Sequence, residues 1–257
     1  MSDPLRVMVT AGAGGIGAVI AETFATAGAR VHTCDISRKA LDALAARSPS
    51  IVGAQVDLSN EEALVAWCEG AVTDLGGVDV LVNNAGIAGP TAAVEDISLS
   101  DWRQCLAIDL DSHFLTCRSV VPVMKQQRSG SIVNMSSTAG QVGYGRRSPY
   151  AAAKWAVIGF TKSLAIEVGP YGVRVNAICP GAVRGDRMGR VIAAEASARG
   201  LAEAEVESEY ASSQSIARFV EPQEIADMAY FLGSPQAQMV SGQAIAVDGH
   251  TETYHIT

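Results

Sequence analysis

Short apolar runs alternate along the chain with longer stretches of helical hydrophobic spacing, and the apolar runs end at glycines or small polar residues. Residues 5–9 form the first run and lead into Thr10-Ala-Gly-Ala-Gly-Gly-Ile-Gly17. A helix is predicted over 18–27, closed by Gly28. A second strand at 30–34 ends on Asp35, and another helix starts near Ser37. The pattern repeats with a strand at 51–56, ending in Asp57-Leu58, and a helix at 61–75 capped by Ser59 or Asn60. An apolar strand at 78–82 stops at Asn83-Asn84-Ala85-Gly86. One long helix is expected from 101 to about 127, then a strand at 131–135 and a helix from Tyr150 to about 168. Strands at 173–178 and 244–247 flank a helix at 221–232, and a polar tail runs from Asp248 to Thr257. This rhythm predicts a parallel sheet covered by helices on both faces, a doubly wound α/β fold.

The segment 184–218 interrupts the rhythm. It is rich in Ala, Glu and Arg and predicts two helices, near 188–199 and 202–211. Lying after a strand's C-terminal end, it reads as a lid over a cleft or as a packed surface hairpin.

The 257 residues carry no polar or Pro/Ser-rich linker, so a single domain is expected. A formal charge of −8 argues against nucleic acid or an anionic membrane surface as partner. Five cysteines (Cys34, Cys68, Cys105, Cys117, Cys179) without C-x-x-C spacing fit reduced thiols in a cytoplasmic chain. The start, Met-Ser-Asp-Pro, lacks signal-peptide character, and no apolar run reaches membrane-spanning length. His32, His113, His250 and His255 share no ligand spacing, so no metal site is expected.

Candidate chemistry concentrates between Ser137 and Lys154. Tyr150 and Lys154 stand four apart at the start of a helical run, which stacks them on one face. Ser137 ends the preceding strand. A hydroxyl, a phenol and an ammonium together suit proton transfer at an alcohol oxygen. A free phenol, with a pKa of about 10, is a poor base at neutral pH, and neighbouring cations favour its anion. The first glycine turn, between a strand and a helix N-terminus, suits a phosphate group. Asp35, about 20 residues past that turn, stands where a carboxylate meets an adenosine ribose, or else caps the next helix. In the ribose role it repels a 2′-phosphate, which favours NAD over NADP.

These residues, over nearly the whole length, resemble the short-chain dehydrogenase/reductase family: Thr10 to Gly17, Asp35, Asp57, Asn83-Asn84-Ala85-Gly86, Ser137, Tyr150 with Lys154, and Pro180-Gly181. The resemblance implies a Rossmann-like sheet of seven strands in the order 3-2-1-4-5-6-7, bound NAD, and a homo-oligomer, often a tetramer built on two long helices. It implies a cofactor site of Thr10, Gly12, Gly15, Ile16, Gly17, Asp35, Asp57, Leu58, Asn83, Asn84, Ala85, Gly86, Pro180, Gly181 and Val183, together with Tyr150 and Lys154. The implied catalytic group is Ser137, Tyr150, Lys154 and Asp109. Ser137 orients the substrate oxygen, Tyr150 exchanges its proton, and Lys154 supports Tyr150 and grips the nicotinamide ribose. Three positions depart from the family's pattern. Ala11 replaces the first turn glycine, Asp109 the helix-kinking Asn, and Gly185 the Thr four residues after Gly181.

The expected activity is NAD-dependent interconversion of a secondary alcohol and its ketone. The alternatives are a dinucleotide-binding protein without turnover and a sugar-nucleotide epimerase or dehydratase. The helix after Tyr150 is apolar nearly all round, which calls for cover on both sides and predicts a homo-oligomer. Arg146 and Arg147 suggest an acidic substrate or simply a solvated pair, and Tyr144 and the segment after Arg184 are the other expected pocket walls.

Overall fold

A computed structural model describes residues 3–251, so His255 and the end of the polar tail lie outside the described residues. Seven parallel strands form one sheet: β1 (Arg6–Thr10), β2 (Arg30–Asp35), β3 (Ile51–Gln55), β4 (Val80–Asn83), β5 (Gly130–Met135), β6 (Val173–Pro180) and β7 (Ala244–Val247). Their spatial order is β3-β2-β1-β4-β5-β6-β7, as the resemblance implied. The helices between them are α1 (Gly15–Thr26), α2 (Arg38–Arg47), α3 (Glu61–Leu75), α4 (Leu99–Leu106), α5 (Ser112–Gln127), α6 (Ser148–Val168), α7 (Asp186–Arg199), α8 (Glu203–Ser212) and α9 (Pro222–Gly233).

Central strands are mostly apolar because both of their faces are covered. Alternate residues point to opposite sides of the sheet. Val7, Val9, Val80, Val82 and Val133 pack with Ile20 and Phe24 of α1 and Leu232 of α9. Met8, Leu81 and Ile132 pack with Trp67 of α3, Val120 of α5 and Leu164 of α6 on the other side. The order of strands reverses between β1 and β4, which opens a crevice at their C-terminal ends. Thr10 and Asn83 end these two strands.

The expected continuous helix over 101–127 is instead three pieces. Between α4 and α5 the backbone widens into a five-residue π turn, Ala107–Asp111. The widening leaves Asp109 fully buried, its Oδ1 accepting the Ile87 N–H at 2.6 Å. A buried backbone donor in the loop after β4 is thereby satisfied, which offsets the distorted turn.

Elsewhere the sequence boundaries shift by a few residues. Asn60, rather than Ser59, caps α3, accepting the Ala63 N–H at 3.0 Å. Segment 184–218 folds into α7 and α8, whose Val191, Ile192, Val206 and Tyr210 join Ala182 and Phe219 in a small cluster. On α6, Tyr150, Ala153, Lys154, Val157, Thr161 and Leu164 face inward. Its opposite side leaves Trp155 and Ile166, 52% and 79% accessible, uncovered by this chain.

Candidate active site

Two contacts tie the end of β5 to α6. The Ser136 hydroxyl donates to the Lys154 carbonyl at 2.8 Å. Gly140 passes so near that a Cβ there would lie 2.6 Å from the same oxygen. Ser137, between them, accepts the Ala139 N–H at 3.2 Å, and Ala139 packs with Tyr150 and Cys105. This fixes Ser137 beside the Tyr150 helix.

Lys154 is almost wholly buried. Its Nζ donates to the Met135 carbonyl at 3.0 Å and stands 3.8 Å from Asp109 Oδ2. It also lies 5.7 Å from the Tyr150 ring centre. Burial raises the Asp109 carboxyl above its ordinary range, and Lys154, Arg187, the Ile87 N–H and Arg147 partly oppose this. Asp109 Oδ2 is buried without a hydrogen-bond partner. The Asp in place of the family's Asn therefore sets a carboxylic group directly beside the site lysine.

Two guanidinium groups also approach the Tyr150 ring, Arg147 at 5.1 Å and Arg187 at 5.5 Å. Of the Arg146–Arg147 pair only Arg146 is exposed. Arg147 is 4% accessible, and its Nη2 donates to the Ala88 carbonyl at 2.6 Å. A solvated pair is therefore ruled out for Arg147. Neither its packing nor the approach of Arg187, 37 positions beyond Tyr150, is visible in local spacing. Tyr144 packs beside Arg147 and is hydrogen-bonded to Tyr210, which donates to the buried Glu195 at 2.7 Å. His113 is a further buried neighbour, with Nε2 3.2 Å from the Ala85 carbonyl.

The glycine turn faces the same crevice. Gly14 caps α1 with no side-chain hydrogen bond to the first turn, and Gly14 and Gly15 have open space where a Cβ would stand. The N–H groups of that turn are left to an anion, which fits a dinucleotide diphosphate. Gly12 and Gly17 are glycine for another reason. A Cβ at Gly12 would collide with Thr33, and one at Gly17 with the Ala11 carbonyl and the Asn84 side chain. Asp35 lies across the turn and accepts the Ala13 N–H at 3.2 Å and the Ser37 N–H at 2.9 Å. The helix-cap function itself falls to Ser37, which accepts the Ala40 N–H at 3.2 Å.

Other expected cofactor residues divide between lining and support. Thr10 Oγ1 accepts the Asn84 and Ala85 N–H groups, and the Asn84 amide donates to the Thr10 and Ala11 carbonyls at 3.1 Å. The Asn83 side chain joins a buried network with Asn134 and Thr116. Asp57 is exposed and holds Ser59, Leu58 is buried, and Ile16 sits in the first turn of α1. A Cβ on Gly86 would lie 3.1 Å from Lys154 Nζ. Pro180 closes β6, Gly181 packs against Asp248, and Val183 bridges Val220.

The family model described as Enoyl-(Acyl carrier protein) reductase, adh_short_C2, matches residues 11–250. The chain belongs to the short-chain dehydrogenase/reductase family. Its curated relatives are named dehydrogenases, which makes this chain an oxidoreductase of the family. It is similar to D-threitol dehydrogenase of Mycolicibacterium smegmatis, with 35% identity over 96% of this chain and 92% of that one. Among solved structures it is similar to NAD+-bound xylitol dehydrogenase, with a TM-score of 0.91 at 28% identity, covering 95% of this chain and 97% of that one. It is also similar to actinorhodin polyketide ketoreductase with NADPH, with a TM-score of 0.92 at 30% identity, covering 97% and 98%. A nicotinamide dinucleotide is therefore the cofactor class of this fold. Among the described residues no helix is long and apolar enough to cross a membrane, and no His, Cys, Asp and Glu group could hold a metal ion.

Proposed function

We propose that the chain interconverts a secondary alcohol and its ketone with NAD, and that Tyr150 is the general acid/base. The observation that carries this reading is the Tyr150–Lys154 pair, buried on one helical face beside Ser137. When bound, the nicotinamide accepts or donates the hydride. Ser137 holds the substrate oxygen. Tyr150 takes the alcohol proton in oxidation and returns it in reduction. Lys154 and Arg187 favour negative charge developing on the phenol oxygen. The residues cited for the cofactor, from Thr10 to Val183, hold the dinucleotide, and the Asp35 carboxylate disfavours a 2′-phosphate by like charge.

The chain functions as one Rossmann-type unit, with 184–218 as a substrate lid and α5 and α6 as the core of a homotetramer. Five buried free cysteines support a cytoplasmic, reducing setting. A reading as a dinucleotide-binding protein without turnover draws on Asp109, whose carboxyl stands close to Lys154.

The test is a panel of secondary alcohols and polyols, charged and neutral, assayed for reduced dinucleotide with NAD and with NADP. NAD should support the faster reaction. Tyr150→Phe should lower turnover by about 10²- to 10⁴-fold, as loss of a general acid/base does, while dinucleotide binding is kept. Unchanged turnover in that variant removes Tyr150 from the role. Dinucleotide binding by the wild type with no turnover favours the binding-protein reading.

A further inference from the structure

A cavity of about 530 Å³ opens between the loop after β4 and α7, and Arg187 on its wall stands 5.5 Å from the Tyr150 ring centre. Its walls include Gly86, Ile87, Gln104, Arg187 and Arg190. The arginines of the surrounding segment fall into two groups. Arg184 pairs with Glu221 at 3.0 Å, Arg199 with Glu195 and Glu209, and Arg218 with Glu224 at 2.6 Å. Arg187 and Arg190 have no ion-pair partner among the described residues, although the chain holds 27 acidic residues against 19 basic ones. A shortage of carboxylates does not explain this.

Both unpaired side chains line the cavity, three positions apart on one face of α7. Arg147 adds a third positive charge 5.1 Å from the Tyr150 ring centre, and its Nε is buried without a hydrogen-bond partner. Neither nearby carboxylate forms an ion pair with these two arginines among the described residues. Asp101, on the cavity wall, accepts the Ser98 hydroxyl at 2.7 Å, and Asp109 is buried at Lys154 and Ile87. A chain of net charge −8 thus places two unpaired arginines against a single carboxylate, Asp101, on the wall of a cavity that Arg187 links to Tyr150.

We infer that the substrate is an anionic hydroxy or oxo acid whose carboxylate or sulfonate is held by Arg187 and Arg190. This rests on the reading of Tyr150 as acid/base and adds the substrate class to it. Planar guanidinium groups match such anions through paired, charge-assisted hydrogen bonds. Arg147 supports the field without being a ligand, since its Nη2 is committed to Ala88.

The test compares short hydroxy acids with their own primary amides, which keep the shape and the reacting alcohol but lose the charge. Wild-type kcat/KM should favour the acid by about 10- to 100-fold, the worth of a charge-assisted hydrogen bond. In Arg187→Gln/Arg190→Gln that preference should collapse, mainly through a raised KM for the acid. Arg184→Gln, altering a paired arginine on the same segment, should keep it. Turnover of amides as good as that of acids, or a double variant that still prefers acids, overturns the inference and leaves the alcohol oxidoreductase reading standing. No turnover of either series with either dinucleotide overturns the inference, and the polyol panel then decides the alcohol oxidoreductase reading separately.

Discussion

Ala11 occupies the turn after β1 with φ +49°, a left-handed conformation that L-residues other than Asn and Asp seldom adopt. The family's pattern has glycine there, and this chain carries a methyl group in its place. Relief of about 1–2 kcal/mol of left-handed strain is offset by about 0.4–1 kcal/mol of added unfolded-chain entropy. Ala11→Gly should therefore raise stability by about 0.5–1 kcal/mol, read as a higher urea midpoint with an unchanged slope. A lower midpoint would mean that the methyl's contact with the core outweighs the strain. Gly185 departs in the opposite sense. At φ +144°, at the entry to α7, it adopts a backbone suited to glycine and strained for a Thr. Both departures were legible as residue identities. Their backbone consequences were not, because φ depends on what the turn must approach.

At the scale of elements, alternating apolar and helical stretches marked all seven strands, since each packs apolar side chains against the core, the edge strands only in part. The π turn was not marked by periodicity, although the resemblance put the family's helix-kinking position at Asp109. One extra residue in a helix shifts the apolar stripe by a fraction of a turn, too little to break its period. One turn further on, His113 is held against the Ala85 carbonyl, and burial, helped by Lys154, pushes its pKa down to about 3. The folded ring is therefore neutral where the unfolded ring, with a pKa near 6.5, takes up a proton. The unfolded chain binds more protons across this window, so stability is present above about pH 6.5 and is lost as pH falls toward 3. Asp109, raised by burial, acts with opposite sign, losing stability as pH rises from the ordinary carboxylate range. His113→Gln retains an amide donor for Ala85 and cannot titrate. Between pH 6.5 and 4.5 the wild type should lose about 2 kcal/mol more unfolding free energy than this variant. Parallel stability–pH curves from urea unfolding would show that His113 is protonated in the fold.

For the whole molecule, the order of strands lay beyond periodicity, because which strands become neighbours is settled by long-range packing; it came from the resemblance. The apolar outer face of α6 was legible, and in the folded chain it remains exposed. Trp155 and Ile166 stand on it, with Phe114 of α5 half exposed and in edge contact with Phe160 of α6. Arg118 covers one side of Phe114 and pairs with Glu61 at 3.0 Å, giving the patch a charged border. Apolar patches rimmed by polar groups are sites of association. Burying each large apolar side chain contributes about 1.5–3 kcal/mol, and a two-fold contact counts each one twice. Light scattering at micromolar concentration should thus give a multiple of 26.7 kDa, four chains by the present proposal. Trp155→Glu places like charges on both sides of such a contact and should shift the mass toward the single chain, with helical content kept because the position is exposed. A wild-type mass of one chain would leave Trp155 and Ile166 as uncovered surface and remove α6 from the assembly.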